Sequence, residues 1–145
     1  MRLLFAHERI GALGGAEANV LATAEALAQR GHTVGLLHGR GTNEGEAQWR
    51  EVFAARYSTG SPAGVAATDD ALDRFAPDAV FLHKFSDAAV VTALLAAPRP
   101  VVRMVHDHDL YCMRGYKYNP LTRRICARAA SAFCVFPCGA SIARS

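Results

Sequence analysis

A chain of 145 residues with 51% hydrophobic and 20% charged residues has the length and composition of one globular domain with its own core. No apolar run reaches the roughly 18 residues that a transmembrane helix needs, and the stretch after Met1 is too short for a secretory signal, so we expect a cytoplasmic protein. The net charge of +3 is too small to indicate nucleic-acid binding by itself.

Apolar runs and helical repeats alternate along the first hundred residues. In chain order the sequence predicts a strand over 2–6, a helix from Gly15 to Arg30, a strand over 32–37, a helix over 47–57, a helix that begins at Thr68 and ends before Pro77, a strand over 78–83, a helix over 86–97 and a strand over 100–106. The strand runs are continuously apolar, as in parallel sheets covered on both faces. We therefore predict an α/β fold over residues 1–145, with a Rossmann-like parallel sheet and helices on both faces.

The connection between the first predicted strand and helix is long. It takes nine residues, His7 to Gly15, where about two to six usually suffice, so we expect it to hold a ligand. Gly14 and Gly15 lack a Cβ and precede a helix N-terminus, which favours an anion such as a diphosphate; the alternative is a flexible turn. Glu17 suits the first helical turn, and its carboxylate is expected to hold the loop. The glycine spacing does not match a dinucleotide-binding fingerprint.

Histidines stand at the carboxyl ends of three predicted strands: His7 directly follows the first, and His83 and His106 end the two later ones. Ligands of parallel α/β sheets bind beyond the carboxyl ends of the strands, so these imidazoles are candidate substrate contacts, although a lone histidine there is more often structural. Asp107 and His108 follow directly, and neighbouring carboxylate and imidazole groups suit acid-base chemistry, a metal or the hydroxyls of a sugar. We favour direct substrate contact over a metal.

A segment rich in Tyr, Arg and Cys spans residues 111–138 and contains all four cysteines: Cys112, Cys126, Cys134 and Cys138. Clustered thiols in a reducing compartment favour a structural zinc ion, although the spacing lacks a C-x2-C pair and ordinary buried thiols are the alternative. Between residues 111 and 128 there are five basic and no acidic residues. This charge indicates either a solvated face or attraction to a phosphate-bearing or membrane-surface acceptor.

Four stretches taken together resemble the N-terminal half of family 4 glycosyltransferases of the GT-B type: "RLLFAHE", "GGAEANVLATAEALAQRGHTVGLL", "APDAVFLHKF" and "PVVRMVHDHDLYC". The resemblance covers residues 1–112. It implies one of two facing Rossmann-like lobes, the acceptor-side lobe of a retaining hexosyltransferase with a nucleotide-sugar donor. It further implies that Gly14 and Gly15 approach the donor diphosphate and that His106 contacts the transferred sugar, which makes His106 the candidate catalytic residue.

The resemblance also implies a second, C-terminal lobe that carries the acidic donor-binding pair and is missing here. We therefore expect this chain to be an inactive acceptor lobe that needs no cofactor for transfer and binds no nucleic acid. Two other classes stay open. One is a non-enzymatic module whose basic, Cys-rich tail binds a metal together with nucleic acid or protein, and the other is a flavodoxin-like nucleotide-binding domain.

Overall fold

The structure is a computed structural model that describes residues 1–12, 14–60, 64–108, 111–112, 115–119 and 123–138. The chain divides into two compact units, Met1–Met104 and Val105–Ser145. Within the described residues, no helix is long and apolar enough to cross a membrane.

The first unit is a parallel sheet with the predicted alternation of strands and helices. Its elements are β1 (Arg2–Ile10), α1 (Gly15–Gln29), β2 (Thr33–Gly41), α2 (Glu46–Val52), β3 (Ala55–Ser58), α3 (Gly64–Arg74), β4 (Ala79–Leu82), α4 (Ala88–Ala96) and β5 (Val101–Arg103). The strand order is β3-β2-β1-β4-β5, and every pair is parallel. This confirms the predicted Rossmann-like α/β fold.

Both faces of β1 are buried, because alternate side chains point to opposite sides of the sheet. Leu3 and Phe5 pack against α1 and α2 in a core that includes Trp49, whereas Leu4 and Ala6 pack against α3 and α4. A central strand covered on both faces needs apolar residues at every position, which explains its unbroken apolar run.

The order of the strands locates the topological switch point of the sheet, one of the places where such sheets bind ligands. The chain moves from β1 to β2 and β3 in one direction, then crosses to β4 and β5 on the other side of β1. The topological switch point therefore lies between β1 and β4, at the carboxyl ends of these strands.

The prediction of a long loop after the first strand is wrong. Strand β1 continues through His7 to Ile10, and only Gly11–Gly14 separate it from α1. The strand continues because β2 extends with it to Gly41, where it pairs with Ile10. Polar side chains interrupt the apolar run, but the backbone ladder does not depend on them.

Three other predicted elements have different bounds. The helix over 47–57 is wrong beyond Val52, because residues 55–58 form the edge strand β3. Helix α3 begins at Gly64 rather than at Thr68, whose hydroxyl donates to the Gly64 carbonyl, 2.8 Å away, from inside the helix. The fourth predicted strand ends at Arg103 rather than at residue 106.

The second unit contains a two-stranded antiparallel hairpin, β6 (Tyr118–Asn119) and β7 (Arg124–Ile125). Residues 126–129, which follow β7, are not helical. A short helical turn, Cys134–Cys138, is interrupted by extended backbone at Phe136.

Candidate functional site

The candidate site lies in the first unit, where the loops that follow β1 and β2 meet. The Ala12 amide donates to the Glu44 carbonyl, 2.7 Å away, and the Thr42 amide donates to the Ile10 carbonyl at 3.0 Å. These bonds fix the two loops to each other beyond the end of the sheet. Between them and the first turns of α1 and α2 is an open cleft of about 440 Å³.

The glycines of the first loop differ in what requires them. Gly11 has a φ of +111°, and a Cβ there would overlap Thr42 Oγ1 and lie 2.5 Å from the Glu44 carbonyl oxygen, so the fold itself requires glycine. Gly14 is extended, with a φ of −165°, and among the described residues its Cβ would meet only Glu17 Oε2, at 3.6 Å. A Cβ on Gly15 would meet nothing within 4 Å in the described part of the chain. Space is therefore left at Gly14 and Gly15.

Helix α1 begins at this space without a side-chain cap. Gly14 is the N-cap residue and has no side chain to accept from the first amides of the helix. Those amides and the helix dipole make the start of α1 favourable for an anion.

A buried hydrogen-bonded pair, His7 and Glu17, lies next to the loop. His7 is fully buried, and its Nε2 lies 3.1 Å from Oε1 of Glu17, a residue that is only 7% exposed. The Lys84 amide donates to His7 Nδ1 at 3.4 Å, so this nitrogen accepts and Nε2 carries the proton. His7 is thus the neutral tautomer that donates to the Glu17 carboxylate.

Glu17 is ionised in this environment. Burial by itself would raise the pKa of its carboxyl group, but the amides of Glu17 and Gly14, together with His7, outweigh burial and lower the pKa below its usual value. The expectation that this carboxylate holds the loop agrees with its contacts to Gly14 and to the neighbouring strand.

His83 follows β4 as predicted and is only 1% exposed. Its ring stacks on Phe5 at 5.5 Å and meets His7 edge-on at 6.2 Å, measured between ring centroids. The structure therefore brings His7 and His83 together in the interior, under the cleft. Contact of His83 with a substrate stays a prediction.

The other predicted substrate contacts belong to the second unit. His106, Asp107 and His108 are half-buried, and the ring of His108 meets that of Tyr111 edge-on at 5.4 Å. Contact of these three residues with a sugar stays a prediction.

The four cysteines of the second unit are each half-buried. Across the described ranges, no group of three or more His, Cys, Asp or Glu side chains is close enough to hold a metal ion. The arrangement of Cys112, Cys126, Cys134 and Cys138 thus lends no support to zinc, which stays a prediction for elemental analysis.

Sequence reasoning did not predict the roles of Glu44 and Trp49. These two residues line the cleft from the second loop and from α2. In the sequence, Trp49 has the spacing of an ordinary core residue on one face of a helix. Only the pairing of β1 with β2 brings these groups next to the glycine loop.

Comparisons with known proteins give one family and one solved structure. The structure of a universal stress protein from Archaeoglobus fulgidus aligns with a TM-score of 0.42 and 19% identity, covering 71% of this chain and 92% of that chain. The search of the curated proteins finds no match. The model of Glycosyltransferase Family 4 matches residues 13–140, from the glycine loop through the Cys-rich segment. The alternation of parallel strands and helices, the glycine loop before α1 and this match over most of the length agree, and the chain belongs to glycosyltransferase family 4.

Proposed function

We propose that this chain is the acceptor-side lobe of a retaining glycosyltransferase that transfers a hexose from a nucleotide sugar. Membership of family 4 supports glycosyl transfer in general. The observation that carries the finer proposal is the contrast between Gly11, which the fold requires, and Gly15, where the described chain leaves open space.

The proposal assigns the space at Gly15 to the donor diphosphate. Without a Cβ, the backbone lets a phosphate oxygen come within hydrogen-bond distance of the first amides of α1. The helix dipole adds a favourable field for negative charge, which is strongest in the first turn. A diphosphate is the leaving group of a nucleotide sugar, so stabilising its charge favours departure from the sugar.

In this proposal His106 contacts the transferred sugar, and a second lobe supplies most donor contacts. One wall of a diphosphate site leaves the donor hydrated, whereas a closed cleft excludes water and strengthens each electrostatic contact. We accordingly expect no transfer by this chain alone. We place the protein in the cytoplasm, where its four thiols stay reduced.

The experiment is a titration of the ¹⁵N-labelled chain with nucleotide sugars, followed by NMR. Amide shifts that begin at Gly14 and Gly15 and extend into the first turn of α1 are expected, and Gly15→Val should weaken them. Gly60→Val is the matched control, because within the described part of the chain a Cβ on Gly60 meets only Ser58 Oγ, at 3.6 Å, away from the glycine loop. Shifts that avoid the glycine loop, or equal binding by both variants, would contradict the proposal.

A further inference from the structure

We infer that Glu17 contacts the ligand, accepting a hydrogen bond from a sugar hydroxyl beside Gly14, and that His7 positions it for this role. The inference rests on the proposed function and divides the site in two. The diphosphate lies over Gly15, and the hydroxyl lies over Gly14.

The two oxygens of the Glu17 carboxylate have different surroundings. Oε1 lies 3.1 Å from His7 Nε2. Oε2 lies 3.6 Å from the point that a Cβ of Gly14 would occupy, and Glu17 lines the open cleft. The missing side chain of Gly14 therefore leaves the space beside Oε2 open, although the amides of Gly14 and Glu17 also bond to this carboxylate.

Charge decides what can bind at that oxygen. The pKa of Glu17 is lowered, so its carboxylate carries a negative charge at neutral pH. A phosphate oxygen in the Gly14 space would face this charge at close range and be repelled. A hydroxyl group donates a hydrogen bond to a carboxylate, and such charge-assisted bonds are stronger than neutral ones. At Gly15 the described residues place nothing within 4 Å of a Cβ, which leaves room on that side for a phosphate.

His7 restricts the orientation of the carboxylate. Its ring is fully buried, contacts Trp49 at 6.4 Å and His83 at 6.2 Å between centroids, and accepts the Lys84 amide at Nδ1. The imidazole is held on both sides, and its Nε2–H has a fixed direction towards Oε1. Oε2 is consequently presented to the cleft in one orientation, as a preorganised acceptor requires.

The hydroxyl has two chemical sources, the sugar of the donor and the acceptor. Both present the same group to Oε2, so the experiment has one arm for each. The first arm compares UDP with UDP-glucose and GDP with GDP-mannose. The second arm adds free glucose to the chain saturated with UDP. Inorganic pyrophosphate serves as the anion that has no sugar hydroxyl.

Two variants separate the two halves of the site. In Glu17→Gln the amide keeps an oxygen for His7 and turns an N–H group towards the cleft, so pyrophosphate should bind equally or several-fold more tightly. This variant should bind UDP-glucose no more tightly than UDP, and GDP-mannose no more tightly than GDP. Gly14→Ala fits without strain and fills the space beside Oε2, so it should remove the same advantage and change pyrophosphate affinity less than about twofold.

If Glu17 had only a structural role, Glu17→Gln would change the affinities for all probes by the same factor. If Glu17→Gln weakens pyrophosphate and the sugar-bearing probes by the same factor, or if neither variant changes their ratio, the inference is overturned and the proposed function stands. The inference is likewise overturned, and the proposed function stands, if the wild-type chain binds UDP-glucose no more tightly than UDP, GDP-mannose no more tightly than GDP, and no glucose when saturated with UDP. A wild-type chain that binds neither pyrophosphate nor any nucleotide sugar overturns the proposed function, and the inference with it.

Discussion

Replacing Gly15 should make the protein more stable and a poorer binder at the same time. Gly15 begins α1, and its Cβ would meet no described atom within 4 Å. Gly15→Ala therefore introduces no clash, and it restricts the unfolded chain, which stabilises a protein by about 0.4–1 kcal/mol at compatible positions. For a chain of this length that corresponds to a rise in Tm of about 1–4 °C.

The binding effect has the opposite sign. A methyl group at Gly15 occupies the space assigned to the phosphate, and the larger Gly15→Val excludes it further. We expect Gly15→Val to lower nucleotide-sugar affinity at least about tenfold, equivalent to about 1.4 kcal/mol. Differential scanning calorimetry and NMR titration of the same samples measure both quantities.

Gly11 provides the contrast. Its φ of +111° and the overlap of a Cβ with Thr42 and Glu44 make Gly11→Ala destabilising by at least about 1–3 kcal/mol. A lower Tm for Gly15→Ala, or full affinity in Gly15→Val, would refute the reasoning that the fold leaves this space for a ligand.

Four further outcomes are expected. In the two-lobed enzyme of the proposed function, His106→Ala should lower turnover by orders of magnitude with little change in Tm; near-normal turnover would remove His106 from the site. Burial and the nearby charge of Arg56 lower the pKa of His38, so the unfolded chain binds the proton first and stability falls as pH drops below 6.5; His38→Gln should flatten that slope in urea titrations. The lowered pKa of Glu17 adds stability that is present above pH 4.5 and lost as pH falls through the folded-state value, a loss that Glu17→Gln should abolish. The isolated chain should fold cooperatively yet bind nucleotide sugars no tighter than about millimolar and transfer no sugar, whereas micromolar binding or turnover would contradict the half-site proposal.

Local patterns were sufficient to predict most of the fold. The apolar run of β4 and its Pro-bounded start, and the Asp87 side chain that caps α4 by accepting from the Ala89 and Val90 amides, are properties of neighbouring residues. Strand β3 was missed because it is a short edge strand whose residues alternate between half-buried and exposed. Such a segment reads equally well as the end of a helix.

The candidate site could be predicted only in part. Gly14 and Glu17, which line the cleft, are candidates because they adjoin a strongly periodic helix, and their contact with a ligand stays a prediction. The contact of His7 with Glu17, and the position of Trp49 behind it, depend on the extended pairing of β1 with β2 and on the packing of α2. Contacts between separate helices and strands leave no pattern in the sequence around either residue.

The extension of β1 and β2 determines which side of the cleft can move. Beyond Ala6, where β4 ends its pairing, β1 runs four more residues to Ile10, about 13 Å, with β2 alongside. On its other edge this segment stays bonded to the residues after β4, because the Glu8 amide donates to the Lys84 carbonyl at 2.8 Å. The glycine loop therefore follows a segment that is hydrogen-bonded on both edges as far as Glu8 and paired with β2 as far as Ile10. Bending that segment means breaking ladder bonds, so its amides should resist hydrogen exchange, unlike those of a mobile lid. Under the proposed function, closure around a donor then has to come from the facing lobe, while this segment stays in place.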